Sequence, residues 1–300
     1  MAATALCGGA LVETRGWPAR FSPEVRAILD AGATAARGAR REHGCLDRLD
    51  ATPAGGETCP IGASAAAEPD FVLWGDSLAG NMVAPVAEAA AARGLSGRLV
   101  EFHSCTPLDG VDALRVRGCR AFNAETERRV LSDPGVKTVV LASFWAAALA
   151  PFRPDPGRSP ALLRDDASAE ASAAETLRAF DRGLERLVAA LTAAGKRVVI
   201  VASVPEVGVD VPESLARLAQ GLGRDPAPTR ASYLERQAAT FRTFADLAAR
   251  YGVRVVYPHE ALCAGERCAI AADGLPLYFD AAHLNVSGAL KLRPLFAGLF

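Results

Sequence analysis

The chain has 300 residues, of which half are hydrophobic and 22% are charged, so it can bury one sizeable core. Its 33 basic and 34 acidic residues nearly cancel, and no run of Lys or Arg offers the phosphate-neutralising face that nucleic-acid binding needs. The apolar stretches that approach the roughly 20 residues of a membrane span contain charges or Pro. This composition predicts one compact domain and excludes nucleic acid as a partner.

Residues 1–68 precede the first predicted strand, and we expect them to form an extension or linker packed on the main domain, residues 69–300. The segment Met1–Val12 is small and apolar, but it lacks the basic start and the cleavage site of a signal peptide. It is either the stub of a membrane helix or a frayed or misassigned start of the chain. The sequence leaves both interpretations open.

Five short apolar runs alternate with helical segments along the chain. The runs are Phe71–Trp74, Arg98–His103, Lys137–Ala142, Lys196–Ser203 and Val253–Tyr257. They are rich in Val, Leu and Ile without polar alternation, as expected for strands that are buried on both faces. Strands that alternate with helices form parallel sheets covered by helices on both sides, so the pattern predicts an α/β fold.

Most of the predicted helices are Ala-rich and carry Arg and Glu on one side, which is typical of helices that pack on a sheet. They span Leu78–Arg93, Ala121–Leu131, Ala169–Ala194 and Ala231–Tyr251. Pro85 should kink or shorten the first of them, because proline lacks the N–H that a helix interior needs. Two stretches rich in Pro, Gly, Ser and Asp are predicted to be loops, Ala51–Glu68 and Pro151–Ser168, the second beside the functional site.

Six of the seven cysteines fall into close sequential pairs, and Cys7 is left over. The pairs are Cys45 with Cys59, Cys105 with Cys119, and Cys263 with Cys268. None has the C-x-x-C spacing with nearby His that a zinc site favours, so metal binding is not expected. Disulfides that close short loops imply an oxidising compartment, whereas buried free thiols fit the cytosol, and the spacing alone leaves both open.

The sharpest local feature is an apolar strand that stops at Gly75-Asp76-Ser77 and is followed at once by a helical segment. This order puts Ser77 at the carboxyl end of the first strand, where open α/β sheets bind their ligands. The free N–H groups at a helix start can also stabilise an oxyanion. The alternative is that Asp76 and Ser77 only cap the helix, and the tripeptide alone favours that alternative.

A second motif, Asp280-Ala281-Ala282-His283, shifts this balance towards catalysis. An Asp and a His three residues apart can face the same side of one turn, so that the carboxylate holds the imidazole in the tautomer that accepts a serine proton. Without a partner serine, the same spacing would indicate a helix-start Asp beside a surface His. With Ser77 present, it predicts a triad of Ser77, His283 and Asp280.

These two motifs resemble the first and last sequence blocks of SGNH (GDSL-like) hydrolases. The chain is more similar still to the extracytoplasmic SGNH domains fused behind the membrane acyltransferase-3 domain of bacterial O-antigen and peptidoglycan acyltransferases. The resemblance covers roughly residues 66–300. It also rests on the segments Leu73–Ser77, Ser104–Leu108, Cys119 with Asn123, Leu141–Trp145 and the Cys263–Cys268 loop before Tyr278–Asp280, and Gly16–Phe21 resembles the linker after the last membrane helix.

The resemblance implies a three-layer α/β/α sandwich with a five-stranded parallel sheet, as in flavodoxin-like SGNH hydrolases. The oxyanion donors would be the backbone N–H of Ser77 and that of Ser104 or Cys105, with the side chain of Asn123 as a further candidate. Trp145 is either an aromatic wall for a sugar ring or a residue of the core.

The sequence departs from the family pattern at two points. Position 78 is Leu where the fused domains usually carry His, so any role of that side chain is lost. The block that supplies the oxyanion-hole Asn of the wider family reads Ser143-Phe144-Trp145 here, although the fused subgroup often has a Trp there too. The second departure therefore weakens the analogy with the hydrolases more than the analogy with the fused subgroup.

By this resemblance the chain transfers an acyl group, expected to be acetyl, to a hydroxyl of a cell-envelope glycan through an ester on Ser77. The partners would be a glycan acceptor, an acyl donor and a membrane acyltransferase-3 domain or protein, and no metal or organic cofactor is implied. A carbohydrate O-acetyl esterase of the same fold is one alternative. A non-catalytic glycan-binding domain is the other.

The resemblance also implies a periplasmic or other extracytoplasmic location, with membrane association through a region missing from the N-terminus. In that compartment we expect disulfides. The predicted bonds are Cys105–Cys119, Cys263–Cys268 and Cys45–Cys59, with Cys7 free.

Overall fold

The computed structural model describes residues 18–41, 59–64, 67–151, 162–170 and 172–300, without the side chains of residue 18 and residues 34–41. The strands are β1 (Cys59–Gly62), β2 (Phe71–Gly75), β3 (Ser96–Glu101), β4 (Val111–Ala113), β5 (Thr138–Ala142), β6 (Leu163–Asp165), β7 (Arg197–Val201), β8 (Arg254–Val256), β9 (Ala271–Ala272) and β10 (Leu275–Pro276). The α-helices are α1 (Pro23–Arg41), α2 (Ser77–Asn81), α3 (Val83–Ala91), α4 (Cys119–Ser132), α5 (Trp145–Leu149), α6 (Ala173–Ala193), α7 (Val211–Leu218), α8 (Arg230–Tyr251), α9 (His259–Leu262), α10 (Val286–Leu290) and α11 (Arg293–Phe296).

The central sheet has six strands in the order β1-β3-β2-β5-β7-β8. The five strands other than β1 run parallel, as the sequence predicts, and β1 adds an antiparallel edge on β3. The sequence pattern predicts a loop where β1 lies, and this prediction is wrong for residues 59–62. Pro60 weakens the strand signal, but an edge strand tolerates proline because part of its N–H row faces away from the sheet.

The first parallel strand, β2, lies in the middle of the sheet, and the later parallel strands extend from it to both sides. β3 lies on one side of β2 and β5 on the other, and from β5 the chain continues outward to β7. Connections that leave two neighbouring strands in opposite directions open a crevice at their carboxyl ends. That crevice lies beyond Gly75 and Ala142, which are paired as the last residues of β2 and β5.

Helices cover both faces of this sheet, which gives the three-layer α/β/α sandwich that the resemblance predicts. Successive side chains of β2 point to opposite faces, as they must in a strand. Phe71 and Leu73 therefore join one apolar cluster, and Val72 and Trp74 join the other. All four are buried, so the first strand is held from both sides close to Ser77.

The predicted helix Leu78–Arg93 is two helices, because the regular bonding breaks at Met82 between α2 and α3. Pro85 lies in the first turn of α3, where an N–H has no intrahelical acceptor and its absence costs nothing. The three later helices form within a few residues of their predicted bounds, as α4, α6 and α8.

A small antiparallel sheet of β4 and β6 lies apart from the central one. β6 falls within the predicted loop Pro151–Ser168, so that prediction is wrong for its last part, and residues 152–161 lie outside the described residues. The buried Asp165 of β6 accepts hydrogen bonds from Arg182 and Arg186 of α6. These ion pairs fix the small sheet to the main domain.

Helix α1 belongs to the predicted N-terminal extension and packs on α7, with Val25, Ile28 and Ala216 in a small apolar cluster. The approach is close, because a Cβ at Gly32 would lie 2.5 Å from Cγ of Pro212. Within the described part of the chain, no helix combines the length and the apolarity needed to cross a membrane.

Candidate active site

The turn that carries Ser77 begins where β2 stops. A Cβ at Gly75 would lie 1.7 Å from the carbonyl oxygen of Ala142, so only glycine lets β2 approach β5 this closely. Asp76 has an extended backbone, and its Oδ1 accepts the N–H of Leu78 at 2.9 Å as the N-cap of α2. Asp76 therefore caps the helix, as the alternative interpretation predicts. Ser77, the first residue of α2, faces the crevice instead.

The carboxylate of Asp76 also joins β2 to the residues that follow β5. Its Oδ2 accepts the hydroxyl of Ser143 at 2.6 Å and the backbone N–H of Phe144 at 3.0 Å. Burial raises the pKa of Asp76 above its ordinary value, and the bonds from Ser143, Leu78 and Phe144 oppose that rise. Ser143, in the block where the wider family carries its Asn, thus positions the nucleophile turn.

His283 lies between Ser77 and Asp280. Its Nε2 is 2.7 Å from the Oγ of Ser77, and its Nδ1 is 2.7 Å from Oδ2 of Asp280. A carboxylate can only accept, so Nδ1 carries the proton, and a neutral imidazole then presents Nε2 as the acceptor for the serine hydroxyl. The structure thus brings the three predicted residues together in the order that general-base activation of a serine requires.

Asp280 is held in place by its own turn. Its Oδ1 accepts the backbone N–H groups of Ala282 at 2.8 Å and of His283 at 2.7 Å. Partial burial raises the pKa of Asp280, but the hydrogen bonds from His283 and from these two N–H groups outweigh burial and leave the pKa below its ordinary value. Asp280 is therefore ionised at neutral pH and can stabilise a protonated His283.

Two aromatic rings fix the imidazole, and sequence reasoning missed both. Phe279 stacks on His283 with ring centroids 5.4 Å apart, and Phe144 meets it edge-on at 5.2 Å. Phe279 adjoins Asp280 in the sequence, so its role had a local signal. Phe144 follows β5, and only the fold brings it to His283.

The predicted oxyanion donors divide into two groups. Among the described residues, the N–H groups of Ser77 and Ser104 donate to no protein acceptor, and both residues line the crevice. Ser104 has a φ of 59°, a left-handed conformation that a non-glycine residue adopts only when its surroundings impose it. The prediction for Cys105 is wrong, because its N–H donates to the carbonyl of Phe102 at 3.0 Å.

Two other predicted site residues turn out to be structural. The amide of Asn123 is buried and donates to the carbonyls of Thr106 at 2.8 Å and Leu108 at 3.3 Å, so it holds the loop after Ser104 and has no N–H left for an oxyanion. Trp145 is fully buried, and its Nε1 donates to the carbonyl of Val201 at 2.8 Å. Trp145 is therefore a core residue and cannot be the wall of a sugar site.

Two predicted disulfides are confirmed, Cys105–Cys119 and Cys263–Cys268. The first ties the loop of Ser104 to the start of α4, and Cys119 also lines the crevice. Cys59 is also disulfide-bonded. Cys45 and Cys7 lie outside the described residues, so the predicted Cys45–Cys59 bond and the predicted free Cys7 stay predictions. The four cysteines of the two confirmed bonds are therefore paired and are not buried free thiols.

The crevice beside Ser77 is a cavity of about 430 Å³. Ser77, Ser104 and His283 form its reactive end, and most of the remaining lining is aliphatic. Glu206 also reaches it, with its side chain paired to Arg236 at 3.1 Å. In the part of the chain that the structure describes, no group of three or more His, Cys, Asp and Glu side chains is arranged to hold a metal ion.

Comparison with solved structures finds matches at low sequence identity. The periplasmic domain of a lipopolysaccharide acetyltransferase from Salmonella ser. Paratyphi A matches with a TM-score of 0.59 and 14% identity, over 92% of this chain and 98% of that chain. A putative arylesterase from Agrobacterium tumefaciens matches with a TM-score of 0.42 and 16% identity, over 77% and 98%. The carbohydrate acetylesterase Est24 from Sinorhizobium meliloti matches with a TM-score of 0.42 and 13% identity, over 78% and 100%.

Comparison with curated proteins finds no sequence that matches significantly. The model of one protein family, described as the SGNH domain fused to AT3 domains, matches residues 44–298. This match covers most of the chain, including Ser77, Asp280 and His283. The chain therefore belongs to the family of SGNH domains that are fused to AT3 domains, as its two end motifs predict.

Proposed function

We propose that this protein transfers an acyl group to hydroxyls of a cell-envelope glycan through an ester on Ser77. The observation that carries the proposal is the chain of two short contacts from Ser77 to His283 and from His283 to Asp280, each 2.7 Å long. A serine hydroxyl is a weak nucleophile until a base removes its proton, and this geometry supplies the base and its orienting carboxylate.

In the first half of the proposed reaction, Oγ of Ser77 attacks the carbonyl carbon of an acyl ester or thioester donor. The serine proton moves to Nε2 of His283, the bond from the acyl carbon to the donor oxygen or sulfur breaks, and His283 returns the proton to the leaving group. Asp280 stabilises the imidazolium between these steps. In the second half, a glycan hydroxyl attacks the acyl carbon of the Ser77 ester and loses its proton to His283. The bond from the acyl carbon to Oγ of Ser77 then breaks, His283 returns the proton to Oγ, and the acylated glycan leaves.

The oxyanion of each tetrahedral intermediate would be held by the backbone N–H groups of Ser77 and Ser104, which have no other described acceptor. Losing one such donor costs about 100-fold to 1000-fold in rate in other enzymes. This site lacks the side-chain Asn of the wider family, so we expect slow turnover on simple activated esters. Ser143 does not replace that Asn, because its hydroxyl donates to Asp76.

The family supports the acceptor, the partner and the location that we propose. Its domains are fused to AT3 domains, and we propose an AT3 domain or protein as the partner that delivers the acyl donor. The solved relative from Salmonella is the periplasmic domain of a lipopolysaccharide acetyltransferase. With the two disulfides, this supports an extracytoplasmic site of action on a surface glycan.

The experiment measures which fraction of the acyl groups is transferred to a glycan and which fraction is hydrolysed by water. The purified protein is mixed with an activated acyl ester, with and without polysaccharide acceptors, and acylated acceptor and free acid are measured by mass spectrometry. A well-placed hydroxyl has an effective molarity that can reach about 10⁵ M, far above water at about 55 M, so most acyl groups should reach a fitting acceptor.

The variants Ser77→Ala and Ser287→Ala form a matched pair, because Ser287 is an exposed serine near His283 in the sequence. Only Ser77→Ala should abolish both products. If no glycan captures acyl groups while O-acetylated polysaccharide is rapidly deacetylated, the protein is a carbohydrate esterase. If wild type forms neither product and is not labelled by a fluorophosphonate, the non-catalytic glycan-binding alternative replaces the proposal.

A further inference from the structure

The cavity beside Ser77 is larger than an acetyl group needs. Its volume is about 430 Å³, whereas an engineered apolar cavity of about 150 Å³ in another protein takes up a whole benzene molecule. An acetyl group places only one methyl beyond its carbonyl carbon. An acetyl group would therefore fill only a small part of this cavity, and the chemistry of the lining decides what the rest of it holds.

Most of the lining away from the triad is aliphatic, although Arg115 also lines the cavity. Six of the aliphatic side chains come from the small sheet, from the residue before β6 and from helix α5. They are Val111, Ala113, Leu162, Leu163, Ala147 and Ala148. Such walls neither donate nor accept hydrogen bonds, so the hydroxyls of a sugar ring placed against them would lose their partners. An alkyl chain loses nothing there and gains from leaving water.

Most polar groups of the cavity lie at the reacting end or are already paired, and Arg115, which also lines it, is not a free group either. Ser77, His283 and Ser104 surround the place of the acyl carbonyl, while Glu206 is held by Arg236. A ligand with a polar head at Ser77 and an apolar tail along the aliphatic walls matches this distribution. Ligand pockets commonly combine a mostly apolar lining with a few such orienting groups.

We propose that this cavity is an acyl-chain pocket, so that the transferred group is an aliphatic acyl chain longer than acetyl. The inference rests on the proposed function, because it takes the ester on Ser77 as given, and it replaces the acetyl group that the family resemblance implies. The small sheet of β4 and β6 and helix α5 then set the chain length.

The test compares para-nitrophenyl esters of acetyl, butanoyl and hexanoyl on the wild-type protein. Each buried methylene should raise kcat/KM about fourfold, so butanoyl should exceed acetyl roughly fifteenfold. Repeating the series with methylumbelliferyl esters keeps the acyl chains and changes the leaving group. The increase in kcat/KM with acyl-chain length should be the same in both series.

A matched pair of variants assigns the effect to this cavity. Ala148→Phe should fill the pocket and abolish the rise from acetyl to butanoyl, while Ala150→Phe, at an exposed position two residues further along, should keep it. If Ala148→Phe does not fold, Leu163→Ala, which enlarges the same cavity, should raise kcat/KM for the hexanoyl ester relative to the butanoyl ester.

Two results would contradict the acyl-chain pocket. One is a lower kcat/KM for the butanoyl ester than for the acetyl ester in wild type, and the other is an increase in Ala148→Phe that equals the wild-type increase. If kcat/KM depends on the leaving group and not on the acyl chain, the cavity holds the leaving group, and the proposed acyl-chain pocket is wrong. The proposed function is judged separately, because Ser77 either forms an acyl ester or does not, whichever chain is preferred.

Discussion

The hydroxyl of Ser143 donates a 2.6 Å hydrogen bond to the buried carboxylate of Asp76, the residue directly before the nucleophile. Ser143 is the first residue after β5, so this bond joins the carboxyl ends of the two strands that form the crevice. The bond therefore holds the turn of Ser77 against the end of β5.

Ser143→Ala should lower both stability and turnover. It leaves the buried Asp76 with one donor fewer, which we expect to cost about 1–3 kcal/mol of unfolding free energy. Urea unfolding measures this loss. Ser287→Ala, at an exposed site, should stay within about 0.5 kcal/mol of wild type. A neutral Ser143→Ala variant would show that the bond to Asp76 has no role in holding the turn.

The two confirmed disulfides should differ in their effect on the reaction. The double variant Cys105→Ala, Cys119→Ala frees the loop of Ser104, so kcat should fall more than tenfold, and the unfolding free energy should fall by about 3 kcal/mol. The double variant Cys263→Ala, Cys268→Ala opens a shorter loop that does not line the cavity, so it should change kcat little. Steady-state kinetics on one activated ester compares them, and equal losses of kcat would refute the special role of Ser104.

The role proposed for Ser104 belongs to its backbone. Ser104→Gly keeps the N–H and relieves the strain of a φ of 59°, so activity should stay within a few-fold of wild type while stability rises slightly. Kinetics and thermal unfolding of the same preparation measure both. A loss of about 100-fold or more in kcat with the fold intact would mean that the side chain acts in the reaction.

Glu127, on α4, makes stability depend on pH. Burial, together with Asp109 nearby, raises its pKa from 4.5 to about 7 in the folded protein. A raised pKa means that the folded state holds the proton more tightly. The resulting stability is fully present below pH 4.5 and is lost as the pH rises through about 7.

Urea unfolding at about pH 5 and about pH 8 tests this dependence. The wild-type protein should lose more unfolding free energy over that interval than Glu127→Gln, whose amide does not titrate. Glu235→Gln, at an exposed position of α8, should behave like wild type. Identical pH dependence in wild type and Glu127→Gln would contradict the assignment.

Much of the fold could be predicted from the sequence because the buried parallel strands are continuous apolar runs. Runs such as Phe71–Trp74 have no polar alternation, and the helices between them are long. β1 was missed because Pro60 interrupts its pattern. β4 and β6 were missed because strands of three residues carry no periodic signal.

The triad was accessible to sequence reasoning because each of its two motifs is local. The oxyanion site was not, because it depends on which way single peptide groups point. Ser104 and Cys105 are neighbours, yet one N–H has no described acceptor while the other donates to Phe102. Likewise, whether Asn123 faces the crevice or the loop beside it is decided by tertiary packing, which no short motif records.

The central claim is that Ser77 carries the acyl group, and mass spectrometry of the acyl-enzyme tests it most directly. The protein is mixed with excess activated ester, quenched in acid within one turnover, digested and mapped. We predict one added acyl group, on the peptide that contains Ser77, in wild type and in Ser287→Ala, and none in Ser77→Ala. An acyl group on another residue, or continued turnover by Ser77→Ala, would contradict the account.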